Sequence, residues 1–139
     1  MAPWFELLEH PSDIGVRAQG ATREEALVAA SQGVMSILAD TANFRPIEER
    51  FFKASGADEA TLIINWLNEI LFFFDTEVMV FSDFSIDSWT ADEITGHARG
   101  ERLDVARHEF RTAVKAVTYH QFESHQTADS WEIRVFVDV

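Results

Sequence analysis

The sequence predicts an α+β fold in a single domain spanning residues 1–139, with two main helices packed on a mostly antiparallel β-sheet. Three observations carry this prediction. A capping box, Thr22-Arg23-Glu24-Glu25, opens an alanine-rich stretch. The apolar residues Leu62, Ile63, Trp66, Leu67, Ile70, Leu71 and Phe74 recur at helical spacing. Apolar and polar residues alternate over Ile14–Gln19 and again over Trp131–Asp138, the period of a strand with one buried face. Proline and glycine are scarce, and no linker or fixed-period repeat divides the chain.

Taken in order, Trp4 to Leu8 reads as a first strand, ended by the turn chemistry of His10-Pro11-Ser12-Asp13. Ile14 to Gln19 is the second strand, so the turn should hold Asp13 at a sheet end. Thr22 caps the first helix by accepting from the N3 amide, while Glu25 reaches back. That helix should run to about Ala39 with Ala26, Ala29, Ala30, Gly33, Val34 and Ile37 inward, small residues that let it lie close to a sheet. Beyond Pro46, Arg50 to Ser55 is the third strand. The second helix starts at Asp58 or Thr61 and stops near Asp75. Its apolar residues cover more than half its circumference, so it should be central and packed on more than one side. Val78–Ile86, Glu93–Arg99, Thr112–Phe122 and Ser130–Val137 read as the remaining strands. The four tryptophans and twelve phenylalanines are assigned to the core.

Composition narrows the function classes. A hydrophobic fraction of 47% supports a packed core and argues against disorder. With no cysteine there is no disulfide, thiolate metal site or cysteine nucleophile, and a cytoplasmic location fits. The N-terminal residues lack the basic and apolar regions of a secretory signal, and the apolar run Ile70–Phe74 is far too short to span a membrane. Net charge is −13. Residues 1–93 hold seventeen acidic and five basic side chains, whereas Arg99 to Lys115 holds five cations against three acids. The field of the whole molecule repels a phosphate backbone, so direct nucleic-acid binding is not expected. The basic stretch reads as a solvated face or as a contact for an anionic patch on a protein.

Two places could carry chemistry. In the last strand Trp131, Ile133, Val135 and Val137 share one face and Glu132, Arg134, Phe136 and Asp138 the other. Asp138 and Val139 gather anionic oxygen at a strand end, and Asp13 is the natural partner in its turn. Carboxylate and carbonyl oxygens suit calcium or magnesium, held weakly with several waters, and the bland alternative is a frayed, solvated chain end. No histidine pair stands at a zinc-ligand spacing. The second place is Lys115, one of only two lysines, in the β-prone run Val114–His120. Strand alternation puts Lys115, Val117 and Tyr119 on one face and His120 on the other, which excludes a Lys115–His120 dyad. Lys115 is then either an edge-strand lysine that discourages sheet pairing or a cation that meets a ligand. No nucleophile elbow, P-loop or dinucleotide glycine pattern is present.

Several segments, taken in order, resemble the archease family. They are HPSDIG at 10–15, the alanine-rich helix ending at Ala39-Asp40, NWLNEILFFFDTE at 65–77, G-E-x-x-D-x-x-R-H at 100–108, VKAVTYH at 114–120 and W-x-x-R-V-F-V-D-V at 131–139. The resemblance implies a non-catalytic accessory protein of the RtcB-type RNA ligase in tRNA splicing and RNA repair. Such a protein promotes guanylylation of the ligase and multiple turnover. It also implies a divalent metal site, calcium with magnesium or manganese as alternatives, built from Asp13, Asp138 and Val139, and a functional role for Lys115. One departure is visible: the family usually has Thr-Ala where Pro11-Ser12 stands, and the proline fixes a backbone angle just before Asp13. The alternatives are a small metal-dependent phosphohydrolase using the same acids, and a general chaperone or methyltransferase modulator using the acidic surface.

Overall fold

The computed structural model describes residues 2–9 and 12–139, so the turn residues His10 and Pro11 lie outside the described residues. The described chain runs β1 (Trp4–Glu9), β2 (Asp13–Gly20), α1 (Arg23–Leu38), β3 (Glu48–Ser55), α2 (Glu59–Glu77), β4 (Met79–Trp89), β5 (Glu93–Arg102), β6 (Ala116–Gln126) and β7 (Trp131–Asp138). All strand pairs are antiparallel. They form two sheets rather than one, ordered β1-β2-β7-β6 and β3-β5-β4.

Both helices lie between the sheets: α1 packs on β1, β2 and β7 and on β4, while α2 packs on β6 and on β3, β4 and β5. This explains why each helix is buried on several sides, as the sequence required of α2. Gly33 marks the closest approach, since a methyl group there would sit 2.5 Å from Val16 Cγ1 on β2. Trp66 and Ser31 join the helices through the core, the indole N–H donating to the hydroxyl at 3.0 Å and the hydroxyl to Leu27 O at 2.7 Å. No polar atom of this buried link is left unpaired.

The helix signals act where the sequence places them, with two differences. Thr22 Oγ1 accepts from the Glu25 N–H at 3.2 Å, but the Glu25 carboxylate meets the same hydroxyl at 3.4 Å instead of the Thr22 backbone. Helix α2, capped by Asp58 accepting from the Thr61 N–H, continues to Glu77, and Val78 ends it in the left-handed region at φ 55. Val78 is therefore a helix terminator and not the first residue of β4. The core assignment of the aromatics is too broad: Phe51, Phe72 and Phe110 are exposed, and Trp4 is at the margin.

Strand β6 departs most from expectation. It begins at Ala116 and runs to Gln126, four residues later at each end than alternation predicts. Its pairing with β7 is also broken, from Thr118 opposite Phe136 to Glu123 opposite Arg134. Four residues of β6 there face one of β7, and Gln121 at φ 51 takes up the excess.

Candidate functional site

The register of the four-stranded sheet assembles the predicted residues at one sheet end. Asp13, the first residue of β2, stands directly opposite Asp138, the last residue of β7. Directly opposed residues of an antiparallel pair have Cα atoms about 4.5–5.5 Å apart and send side chains to the same face. On the other side of β7, Asp138 stands opposite Ala116, and the Lys115 N–H donates to Asp138 O at 2.8 Å. Three stretches far apart in sequence thus converge on Asp138. Asp13 is half-buried, while Asp138, Val139 and Lys115 are exposed.

Lys115 does not occupy the strand position assigned to it. It precedes β6, bonded to β7 through its backbone, so alternation no longer dictates where its side chain points. Nor does alternation relate it to His120, which lies in the irregular stretch. The Tyr119 hydroxyl donates to Thr61 Oγ1 on α2 at 3.3 Å. Among the described residues no carboxylate pairs with the Lys115 ammonium. Nine of the eleven lysines and arginines make an internal ion pair, and the exceptions are Arg45 and Lys115.

Two sets of contacts hold Lys115 in place. Asn68 of α2 acts as a strand edge: its side-chain Oδ1 accepts from the Val117 N–H at 3.0 Å and its Nδ2 donates to Val117 O at 3.4 Å. The open edge of β6 is thereby satisfied by an amide, two residues from Lys115. Upstream, the chain between β5 and β6 is pinned by a buried cluster. Glu101 accepts from the Arg45 backbone N–H at 2.7 Å, from His108 Nε2 at 3.1 Å and from the Arg107 guanidinium. His108 Nδ1 in turn accepts the Asp104 N–H at 2.8 Å, which fixes the imidazole with its proton on Nε2. Burial pushes the Glu101 carboxyl up, but the bonds from Arg107, Arg45 and His108 outweigh it and hold it below the ordinary glutamate range. The motif at 100–108 is therefore a structural lock. Beyond it, the Arg111 N–H donates to Leu38 O at 2.8 Å and Phe110 bridges to Ala39.

Sequence reasoning named the chemical groups but passed over Asn68. The available signal was an amide among the apolar residues of a helix packed on more than one side.

The donor set at Asp13, Asp138 and Val139 consists of hard oxygen atoms, the chemistry that calcium and magnesium select. Among the described residues no three histidine, cysteine or acidic side chains cluster closely enough to enclose a metal. A cation fits this donor set only as an open, water-completed site.

The family model described as the archease protein family (MTH1598/TM1083) matches residues 5–139. The chain is 36% identical to protein archease of Sulfurisphaera tokodaii, over 97% of this chain and 98% of that one. It is also 36% identical to protein archease of Methanopyrus kandleri, over 99% of both chains. The solution structure of Methanobacterium thermoautotrophicum protein 1598 superposes with a TM-score of 0.82 at 34% identity, covering 97% of this chain and 98% of that one. The crystal structure of a Thermotoga maritima archease, described as a possible chaperone, superposes at a TM-score of 0.63 and 18% identity, covering 96% of each chain, and shares the fold. By sequence over nearly its full length and by the architecture of its two sheets, the chain belongs to the archease family.

Proposed function

We propose that this protein is a non-catalytic activator of an RtcB-type RNA ligase in tRNA splicing and RNA repair. It would act in the cytoplasm through the sheet end that carries Asp13, Asp138 and Lys115. The observation that supports this reading most directly is the register: Asp13 opposite Asp138, with Lys115 bonded to the Asp138 backbone and its ammonium unused by the described residues. Asp13, Asp138 and an oxygen of Val139 would hold a divalent cation, calcium or else magnesium or manganese. Once bound, that cation supplies positive charge that polarises phosphoryl oxygens.

The chain's own residues do the rest. The two acids set the position of the cation on a rigid strand pair. Lys115 offers a cation to phosphate oxygens beside them, where exclusion of water by a docked partner strengthens the attraction. A net charge of −13 keeps RNA off the free protein, which suits an accessory factor whose ligase partner holds the RNA.

The test measures ligase guanylylation and multiple-turnover RNA joining with and without this protein. Addition of wild type should raise turnover, and Lys115→Ala or Asp138→Ala should abolish the increase while leaving the fold intact. Unchanged turnover with wild type, or full stimulation by either folded variant, would sink the proposal.

A further inference from the structure

Arg45 shares with Lys115 a fixed backbone and an unpaired cationic side chain. Its N–H donates to Glu101 Oε2 at 2.7 Å, and the Ile47 N–H donates to Gly100 O at 3.0 Å. On the other side Phe44 is buried, edge-on to His108 with ring centroids 5.2 Å apart. The Arg45 guanidinium makes no hydrogen bond or ion pair with any described residue. It lines an open surface hollow of about 390 Å³ together with Asn43 and Arg107, and among the described residues no acid lines that hollow. Arg107 is a fixed wall. Its guanidinium binds Glu101 and donates from Nη1 to Asn43 O at 3.3 Å, with Asp104 Oδ2 3.8 Å from Nε. The charge of Arg107 is thus answered within the protein, and the free charge at the hollow is that of Arg45.

A guanidinium presents paired N–H donors that match a carboxylate or a phosphate. A lone surface ion pair contributes at most about 1 kcal/mol, so a small free anion would not be retained. Lasting contact needs apolar surface around the pair, and it is present. Ile47, two residues after Arg45, is 66% exposed, and Val105, two residues before Arg107, is 86% exposed. Nucleic acid fits poorly, because a net charge of −13 repels a phosphate backbone and the hollow offers one free cation where a backbone needs several. An acidic side chain flanked by apolar ones on a protein surface fits the free cation, the hollow and its apolar surroundings together.

The segment from Arg107 to Lys115 joins the hollow to the acidic sheet end. On the way it is tied to the end of α1, through the Asp40 N–H to Glu109 O at 2.9 Å and the Arg111 N–H to Leu38 O at 2.8 Å. Those eight residues reach at most about 29 Å when fully extended. A standard interface of about 800 Å² on each partner is a disc about 32 Å across, so one partner can cover both places. We infer that the hollow is a docking contact for the ligase, receiving a surface carboxylate at Arg45 while Ile47 and Val105 pack against apolar residues around it. This rests on the ligase-activator reading. It separates where the ligase is held from where Lys115 and the two acids act.

The test measures binding of the full chain to the cognate RtcB-type ligase by calorimetry, and multiple-turnover RNA joining as the chain is titrated. Arg45→Ala should weaken ligase binding by at least about tenfold, and Arg45→Glu by more, because a charge pair closed off from water is lost or reversed. Both should raise the half-saturating concentration by the same factor, with maximal turnover regained at saturation, whereas Lys115→Ala lowers the maximum itself. Arg45→Lys, which keeps the charge and loses the fork, should recover part of the affinity. Urea midpoints of the Arg45 variants should match wild type, since the side chain is bonded to nothing in the free protein. Equal ligase affinity in wild type and Arg45→Glu would overturn the inference and leave the activator reading standing. Binding of an RNA oligonucleotide by the protein alone, lost in Arg45→Ala, would overturn it by giving the hollow to nucleic acid. Wild type that binds no ligase would overturn both.

Discussion

Asp13 and Asp138 face each other across two paired strands, and like charges so placed destabilise a sheet. Replacing Asp138 with Asn should therefore stabilise the metal-free protein. Two unit charges about 5 Å apart in water repel by roughly 0.8 kcal/mol, and measured cross-strand pairs fall in a range of about 0.2–1 kcal/mol. Urea denaturation in the presence of a chelator should show Asp138→Asn more stable than wild type by about 0.3–0.8 kcal/mol. The order should reverse with calcium. At a free concentration a hundredfold above its dissociation constant, a ligand of the native state adds about 2.7 kcal/mol, and a tenfold loss of affinity cuts this to about 1.4 kcal/mol. Wild type should then be the more stable protein. An Asp138→Asn variant that is destabilised in chelator, or an equal gain for both proteins on adding calcium, would refute the reasoning.

Further consequences follow from the surrounding structure. Asn68→Ala should cost about 2 kcal/mol, since two hydrogen bonds to Val117 are lost, read as a lower urea midpoint. Asn68→Asp should cost more at pH 7, where a carboxylate faces Val117 O, and recover at acid pH as the protonated carboxyl donates to that oxygen. The introduced carboxyl thus has a raised folded-state value, and its favourable contribution is lost as pH rises through that value. Gly33→Ala should lower the melting temperature, because crowding against Val16 at about 1–3 kcal/mol outweighs the helix-propensity gain of about 1 kcal/mol. Glu101 and Glu132 titrate below the ordinary glutamate range. Burial is the largest influence and raises both, but it is outweighed at Glu101 by the bonds from Arg107, Arg45 and His108 together, and at Glu132 by Gln19, Arg17 and His125 together. Their stabilisation is present above the unfolded value of about 4.3 and is lost as pH falls through the lower folded values. Glu132→Gln should accordingly flatten the acid limb of the stability profile.

Local chemistry announced the elements whose boundaries it controls. The Thr22 and Asp58 caps, the alternation of β7 and the small residues facing β2 all act through near neighbours, and each is where the pattern puts it. The division into two sheets was not legible, because nothing local in an antiparallel strand states which other strand it joins. The site was legible in its chemical groups and not in its framework. Asp13 and Asp138 stand out as acids at strand ends, but their direct opposition is a matter of long-range register. The start of β6 was misplaced because Thr112 to Lys115 has strand composition, while Phe110 and Arg111 are tied back to the end of α1. The bulge at 119–122 carries no glycine or proline to signal it, although Tyr119, bonded to α2, and His120, against Phe136, still point to the opposite faces that alternation predicts.

The distribution of charge gives Lys115 its meaning. In a chain with more than twice as many acids as cations, an unengaged carboxylate is ordinary and an unengaged cation is not. Nine cations are drawn into ion pairs, including four of the five in the basic stretch: Arg99 with Glu49, Arg102 with Glu77, Arg107 with Glu101 and Arg111 with Asp40. The stretch that looked like a basic face in sequence is therefore largely neutralised in space. Lys115 escapes because its backbone is committed to β7 and the neighbouring edge is closed by the neutral amide of Asn68, not by an acid. An edge-guarding lysine would be redundant on an edge already covered by a helix side chain. A lysine whose backbone is bonded to Asp138, in a chain that otherwise pairs its cations, is instead what the proposed joint binding of an anionic ligand and a metal would draw on.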